Sequence, residues 1–198
     1  MKKIQKQSIP QIDVISHNVV WTITPRPVWI VGTCNEDGSS NLSTITCVSN
    51  TPGPPENIIV SMSARQTIAN ILRTGEFSVN LANTDMAALA DYVGTVSGES
   101  GVKNAMSYDF AWGEKIHVPV LDASHCVFEC KVSHTHVVGG FHTFFGEVVN
   151  LHIGTNLIPP MDVSREELRK WFSEIDVHEM DSMVYHSILK YFRVGEKV

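Results

Sequence analysis

A chain of 198 residues is long enough for one sizeable domain, and 43% hydrophobic with 18% charged residues is the balance of a packed core, not of a disordered chain. The formal charge of -6, with Lys and Arg scattered, argues against nucleic acid or an anionic membrane surface as a partner of the whole molecule. The basic start MKKIQKQSIP develops no apolar run of signal-peptide length, and no later stretch reaches the span of a membrane helix.

In chain order, residues 28–34 (VWIVGTC) read as a strand entered through Pro25 and Pro27, and Asp37-Gly38 marks a hairpin turn. Residues 42–49 (LSTITCVS) alternate apolar and small polar side chains and are expected to form one half-buried strand. The Pro- and Gly-rich TPGPPEN then breaks the pattern. Residues 58–62 read as a strand, and Ile68, Ile71 and Leu72 predict a helix over 66–73 that Gly75 ends. A strand through Phe77, Val79 and Leu81 follows. Met86, Leu89, Ala90 and Val93 predict a second helix that stops at Gly94, ahead of the loop-like GTVSGESG.

Residues 126–153 read as two long strands turning at Gly139-Gly140, the first with Phe128, Cys130 and Val132 on one face and Val127, Glu129 and Lys131 on the other. Ser164 with Glu167 forms a capping box, and Leu168, Trp171, Phe172 and Ile175 are expected to be the buried stripe of the last helix. YFRVGEKV closes the chain as a short strand. Many short strands with few helices predict a mainly β fold, a barrel with peripheral helices, in a single domain spanning 1–198. The four cysteines, Cys34, Cys47, Cys126 and Cys130, lack the spacing of a disulfide framework or a CxxC pair. They read as reduced, mostly buried thiols of a cytoplasmic protein.

The most informative segment is SMSARQTIAN, 61–70, where a strand runs straight into a helix. The first turn of a helix offers N–H groups without helical partners and a partial positive charge. Ser61, Ser63, Arg65 and Thr67 flank it with hydroxyls and a forked cation, as phosphate recognition requires. The alternative is that Ser63 caps the helix while Arg65 lies in solvent. Upstream, Ser43, Thr44, Thr46, Ser49 and Asn50 leave the backbone of a strand open to a flat ring, or simply form a solvent-facing side.

His134 and His136 share one strand face, with His142 and His152 on the next strand, but Glu147 follows His136 by eleven positions, unlike the short HxH-Glu spacing of cupins. No metal is assigned. His142, after the Gly-rich turn, could hydrogen-bond a cofactor or relay a proton, and is the candidate catalytic side chain. No GxSxG elbow, P-loop or GxGxxG is present, so redox work would need a bound cofactor.

Five segments in this order resemble the flavin reductase-like, FMN-binding split-barrel family, including its flavoredoxin branch. They are PRPVWIVGTCNEDGSSNLSTITCVSNTPGPP, SMSARQTIANILRTGEFSVNL, DYVGTVSGESGVKNAM, GFHTFFGEVVNL and YFRVGE, and the likeness covers roughly 24–153 plus the tail. The resemblance implies FMN as cofactor and a homodimer with flavin near its interface. It places Ser61, Met62, Ser63, Arg65, Gln66 and Thr67 around the phosphate, and Thr46, Cys47, Val48, Ser49 and Asn50 along the isoalloxazine edge. Asn80, Ser97, Gly98 and Lys103 would lie near the flavin or the partner subunit, and His142 on the nicotinamide side. Phe141 stands where the family usually has Asp, which removes an orienting partner for His142. The implied function is an FMN-dependent oxidoreductase fed by NAD(P)H or a redox protein. The alternatives are a flavoredoxin-like carrier with no small substrate of its own and a non-enzymatic flavin-binding barrel.

Overall fold

The computed structural model describes residues 25–96, 106–175, 181–185 and 191–193. In chain order these form β1 (Arg26–Pro27), β2 (Trp29–Cys34), β3 (Ser40–Ile45), β4 (Val48–Thr51), β5 (Asn57–Met62), α1 (Arg65–Thr74) and β6 (Glu76–Leu81). There follow α2 (Ala87–Thr95), β7 (Phe110–Trp112), β8 (Pro119–Leu121), β9 (Cys126–Val138), β10 (Phe141–Ile153), α3 (Arg165–Glu174), β11 (Met183–Tyr185) and β12 (Tyr191–Arg193).

Seven strands make one antiparallel sheet in the order β3-β2-β6-β9-β10-β5-β4. Its two outermost strands, β3 and β4, are consecutive in the chain and separated only by Thr46 and Cys47. A sheet with rims tied this closely must curl round on itself, and the result is a split β-barrel. The single strand expected over 42–49 is therefore two strands. The alternation continues across them, but β3 pairs with β2 while β4 pairs with β5.

Turn chemistry sets the connections. Gly38 takes φ +82 in the β2–β3 turn, where the Asp37 carboxylate accepts the Ser39 N–H at 2.9 Å. Gly75 takes φ +70 and donates its N–H to the Ile71 carbonyl at 2.8 Å, ending α1. Gly94 does not end α2, which continues through Thr95. A Cβ at Gly94 would lie 3.2 Å from Thr44 Cβ, so the residue lets helix and strand approach closely.

Val31, Val60, Phe77, Val79, Cys130 and Phe144 fill the barrel interior with Ile68 and Ile71 of α1. Val28, Ile30, Leu42, Met86, Ala90, Val93, Leu121 and Met183 build a second cluster between sheet, α2 and β11. Each fully buried aliphatic or aromatic side chain contributes roughly 1.5–3 kcal/mol of transfer free energy.

The β7–β8 hairpin, which the sequence pattern did not reveal, covers the face of β9 that carries Glu129. Glu129 on that face is completely buried. Its carboxylate accepts from the N–H groups of Glu114, Lys115 and Ile116 at 3.0, 2.9 and 3.0 Å, from Asn150 Nδ2 at 2.8 Å and from His152 Nε2 at 2.6 Å. Burial works to raise its pKa, but the hydrogen bonds from Asn150, His152, Lys115 and Glu114 outweigh it and hold the group at about 2. The carboxylate thereby anchors the loop between β7 and β8.

α3 has the expected capping box, with Ser164 and Glu167 exchanging hydrogen bonds. Its apolar stripe is not buried: Leu168, Trp171 and Ile175 are half-buried and Phe172 is exposed. A 3.6-residue period shows that a helix has an apolar face, not that its own chain covers it. All four cysteines are free thiols. Cys34, Cys126 and Cys130 are buried as expected, whereas Cys47 is exposed at the barrel corner.

Candidate functional site

The end of β5 lies between β4 and β10. The Ser61 N–H donates to the Cys47 carbonyl at 3.0 Å, Thr143 Oγ1 donates to Ser61 Oγ at 3.0 Å, and His142 lies opposite Met62 in the register. Sequence-distant residues 47, 61 and 143 thus form one row across the sheet, and the chain turns there into α1. Ala64 is the N-cap, in extended conformation and without a side-chain cap. The first helical hydrogen bond runs from the Ile68 N–H to the Ala64 carbonyl at 2.9 Å, so the first-turn N–H groups ahead of Ile68 lie at the helix N-terminus. Ser63 is exposed and does not cap the helix, contrary to the alternative reading of this segment, and Arg65 is exposed beside it.

Two side chains expected to meet the phosphate face inward. Thr67 is buried, and its hydroxyl accepts from Asn41 Nδ2 at 3.0 Å. Gln66 Nε2 donates to Asn70 Oδ1 at 3.0 Å, and Asn70 Nδ2 reaches Asn35 Oδ1 at 2.8 Å. These groups fasten α1 to the β2–β3 hairpin. Met62 is buried in the core, with its side chain turned away from the surface. The Asn80 side chain is likewise tied up within the fold. It is fully buried and structural, donating to the Ile30 carbonyl and Ser78 Oγ at 3.0 Å each and accepting the Leu121 N–H at 2.9 Å. Ser97, Gly98 and Lys103 lie outside the described residues.

Along the corner, Thr46 and Val48 are half-buried, while Cys47, Ser49 and Asn50 are exposed. Arg26 Nη1 donates to Cys47 Sγ at 3.2 Å. Beyond the corner a cleft of about 440 Å³ opens, bounded by β4, by residues 56–58, and by Pro27, Trp29 and Phe128. Arg26, Thr143, Trp29 and Phe128 were not singled out as site residues from sequence. Only the folded sheet, which brings residues 21, 82 and 99 positions apart together, reveals them.

His142 is half-buried, and its Nδ1 is buried with no hydrogen-bond partner among the described residues. Its ring stacks on Phe144 with centroids 5.8 Å apart and planes at 21°. Packing against Phe144 therefore orients this imidazole, and the unsatisfied ring nitrogen fits a ligand atom. Two hydroxyls, a guanidinium and a helix N-terminus are groups that could hold a phosphoester. The exposed strand β4 leads from it towards an apolar cleft, as a ligand with an anionic tail and a flat head requires.

Residues 21–171 match the family model described as flavin reductase like domain. Flavoredoxin from Methanosarcina acetivorans is 23% identical, with a TM-score of 0.74 over 100% of this chain and 94% of that one. Flavoredoxin of Desulfovibrio vulgaris (Miyazaki F) is 21% identical, with a TM-score of 0.76 over 98% and 96%. An FMN-binding protein from Thermus thermophilus is 18% identical, with a TM-score of 0.72 over 100% and 98%. At these identities the structural likenesses show the fold, which agrees with the expected split barrel.

Proposed function

This chain belongs to the flavin reductase-like domain family, a flavin-binding family, and on that premise we propose that it is a single-domain FMN-binding oxidoreductase passing electrons from a reduced nicotinamide or a protein donor. The observation that carries the reading is the row Cys47–Ser61–Thr143 at the mouth of α1, which places hydroxyls, Arg65 and open N–H groups beside an exposed strand and an unsatisfied imidazole. FMN, when bound, supplies the hydride and electron chemistry. The protein's part is to hold and orient. Ser61, Ser63, Arg65 and the N–H groups of residues 65–67 would grip the phosphate, while Thr46 to Asn50 would line the ring edge. His142 Nδ1 would hold a hydrogen bond to the ring or to the incoming donor.

A flavoredoxin-like carrier is the second reading. It is favoured by Phe141, which is 52% exposed and puts an apolar surface next to His142 where the family usually has a carboxylate. Val137, Val138 and Phe141 at the hairpin tip and Phe172 on α3 are exposed apolar groups, and a second copy covering them would form the proposed homodimer. No helix among the described residues is long and apolar enough to cross a membrane. Four free thiols suit the reducing cytoplasm, where we place the protein.

The test is spectroscopic. Purified protein, or protein titrated with FMN, should show flavin absorbance that dithionite bleaches. Replacing both Ser63 and Arg65 by Ala should weaken FMN binding by roughly tenfold or more. Unchanged affinity would refute the assigned phosphate corner. Anaerobic mixing with NADH and NADPH then separates the two roles: rapid bleaching marks a reductase, and bleaching only by a redox protein marks a carrier.

A further inference from the structure

α1 meets the barrel on two sides of different character. Ile68 and Ile71 pack into the apolar interior, a contact without directional preference, on which a helix can roll. The other side is polar and equally buried. There Thr67 and Asn70 face Thr33 of β2 and Asn41 of β3, which are register partners, and all four side chains are buried. Asn41 Nδ2 donates to Thr33 Oγ1 and to Thr67 Oγ1, at 3.0 Å each. Asn70 Nδ2 donates to Thr33 Oγ1 at 3.0 Å and to Asn35 Oδ1 at 2.8 Å, and Asn70 Oδ1 accepts from Gln66 Nε2 at 3.0 Å. Gln66 and Thr67, the second and third residues of the helix, are thus both tied into one network by their side chains. Among the described residues, none of the buried side-chain nitrogens or oxygens of this network lacks a partner. A satisfied buried network rigidifies what it joins, and hydrogen bonds weaken steeply when misaligned, so this one sets the roll of the first turn.

We infer that Asn41 and Asn70 are positioning residues for an anion at the mouth of α1, and that by fixing the roll of the first turn they make the chain prefer a phosphorylated flavin to the unphosphorylated one. Both are buried on the inner side of the helix and act through Gln66 and Thr67. The attraction of a helix N-terminus for an anion falls off within one turn and depends on where its N–H groups point. A small roll of α1 therefore costs phosphate affinity and leaves contacts to a ring along β4 unchanged. The role rests on the proposed function for its ligand, and on the network alone for its geometry.

The experiment measures the affinity for FMN and for riboflavin, by flavin fluorescence, in the wild type, Asn41→Leu, Thr67→Val and the double variant. Leu keeps the branched shape of the amide and removes its N–H groups. Asn41→Leu should weaken FMN by about tenfold and leave riboflavin unchanged. The double variant should lose no more than Asn41→Leu alone, because the two substitutions remove one and the same bond. Equal weakening of both flavins, equal affinity of the wild type for both, or an unchanged FMN affinity in a folded Asn41→Leu would overturn the inference. A second measurement needs no variant. Inorganic phosphate, titrated into the wild type up to roughly 20 mM, should shift the side-chain NH₂ resonances of Asn41 and Asn70, although both groups are buried away from it. Resonances that stay fixed overturn the role whether or not the variants fold. Shifts with phosphate in a protein that binds neither flavin support the positioning role while refuting the flavin function. FMN and riboflavin lost in step overturn the positioning role alone.

Discussion

Replacing Glu129 by Gln removes the charge at the centre of the β7–β10 anchor while nearly preserving its volume. In the folded protein the carboxyl titrates at about 2 against an ordinary value of 4.5. Because the folded pKa is the lower one, the stabilisation is fully present above the ordinary value and is lost as pH falls towards 2. The gap corresponds to about 3 kcal/mol, of which about 2 kcal/mol has disappeared by pH 3. Urea unfolding of the wild type at pH 7, 5, 4 and 3 should show that loss over and above what Glu129→Gln shows. Exposed carboxylates such as Asp37 and Glu167, whose pKa values are lowered by hydrogen bonds from Ser39 and Ser164, titrate in both proteins and cancel in the difference. At pH 7 the variant should itself be less stable by about 3–5 kcal/mol, because its amide nitrogen must face donors whichever oxygen it replaces, Glu114 N–H and Asn150 at Oε1 or Lys115 and Ile116 N–H at Oε2. Parallel pH profiles for the two proteins would show that this carboxylate is not the source of the acid sensitivity.

Three further outcomes are expected. Gly146→Ala should cost about 1–3 kcal/mol in thermal unfolding, since its Cβ would meet the Phe77 ring and lie 2.7 Å from Cys130 Cβ. A thiol reagent at mildly alkaline pH should modify Cys47 rapidly in the native protein. Burial pushes the Cys126 and Cys130 thiols to about 11 and 12 and shields them, so mass mapping that found either modified before Cys47 would contradict the fold. Ser164→Ala should raise amide exchange in the first turn of α3 by about fivefold and leave barrel amides unchanged, because no residue of α3 is fully buried.

Local pattern made much of the barrel legible. The Asp37-Gly38 and Gly139-Gly140 turns, the β-rich runs of β2 and β5, the alternation of β6, and the Gly75 stop of α1 all follow from short-range chemistry. What could not be read is what lies across from each element. Glu129 alternates with Phe128 and Cys130, and nothing in that spacing shows that the loop between β7 and β8 covers its face. The Thr67 hydroxyl sits at the right place in sequence for an anion, but Asn41, 26 positions earlier, already donates to it. Asn80 resembles a site residue by motif and is a strut by geometry. The split between β3 and β4 leaves no mark in LSTITCVS, because alternation encodes faces and not partners.

That split has a consequence for motion. Thr46 and Cys47 stitch together the two rims of the sheet, strands that stand at opposite ends of its order. A molecule lodged on this seam is a clasp: it must be released before either rim can peel away. Hydrogen exchange should then slow in β3 and in β5 together when the seam is occupied, although no hydrogen-bonded ladder joins those two strands directly.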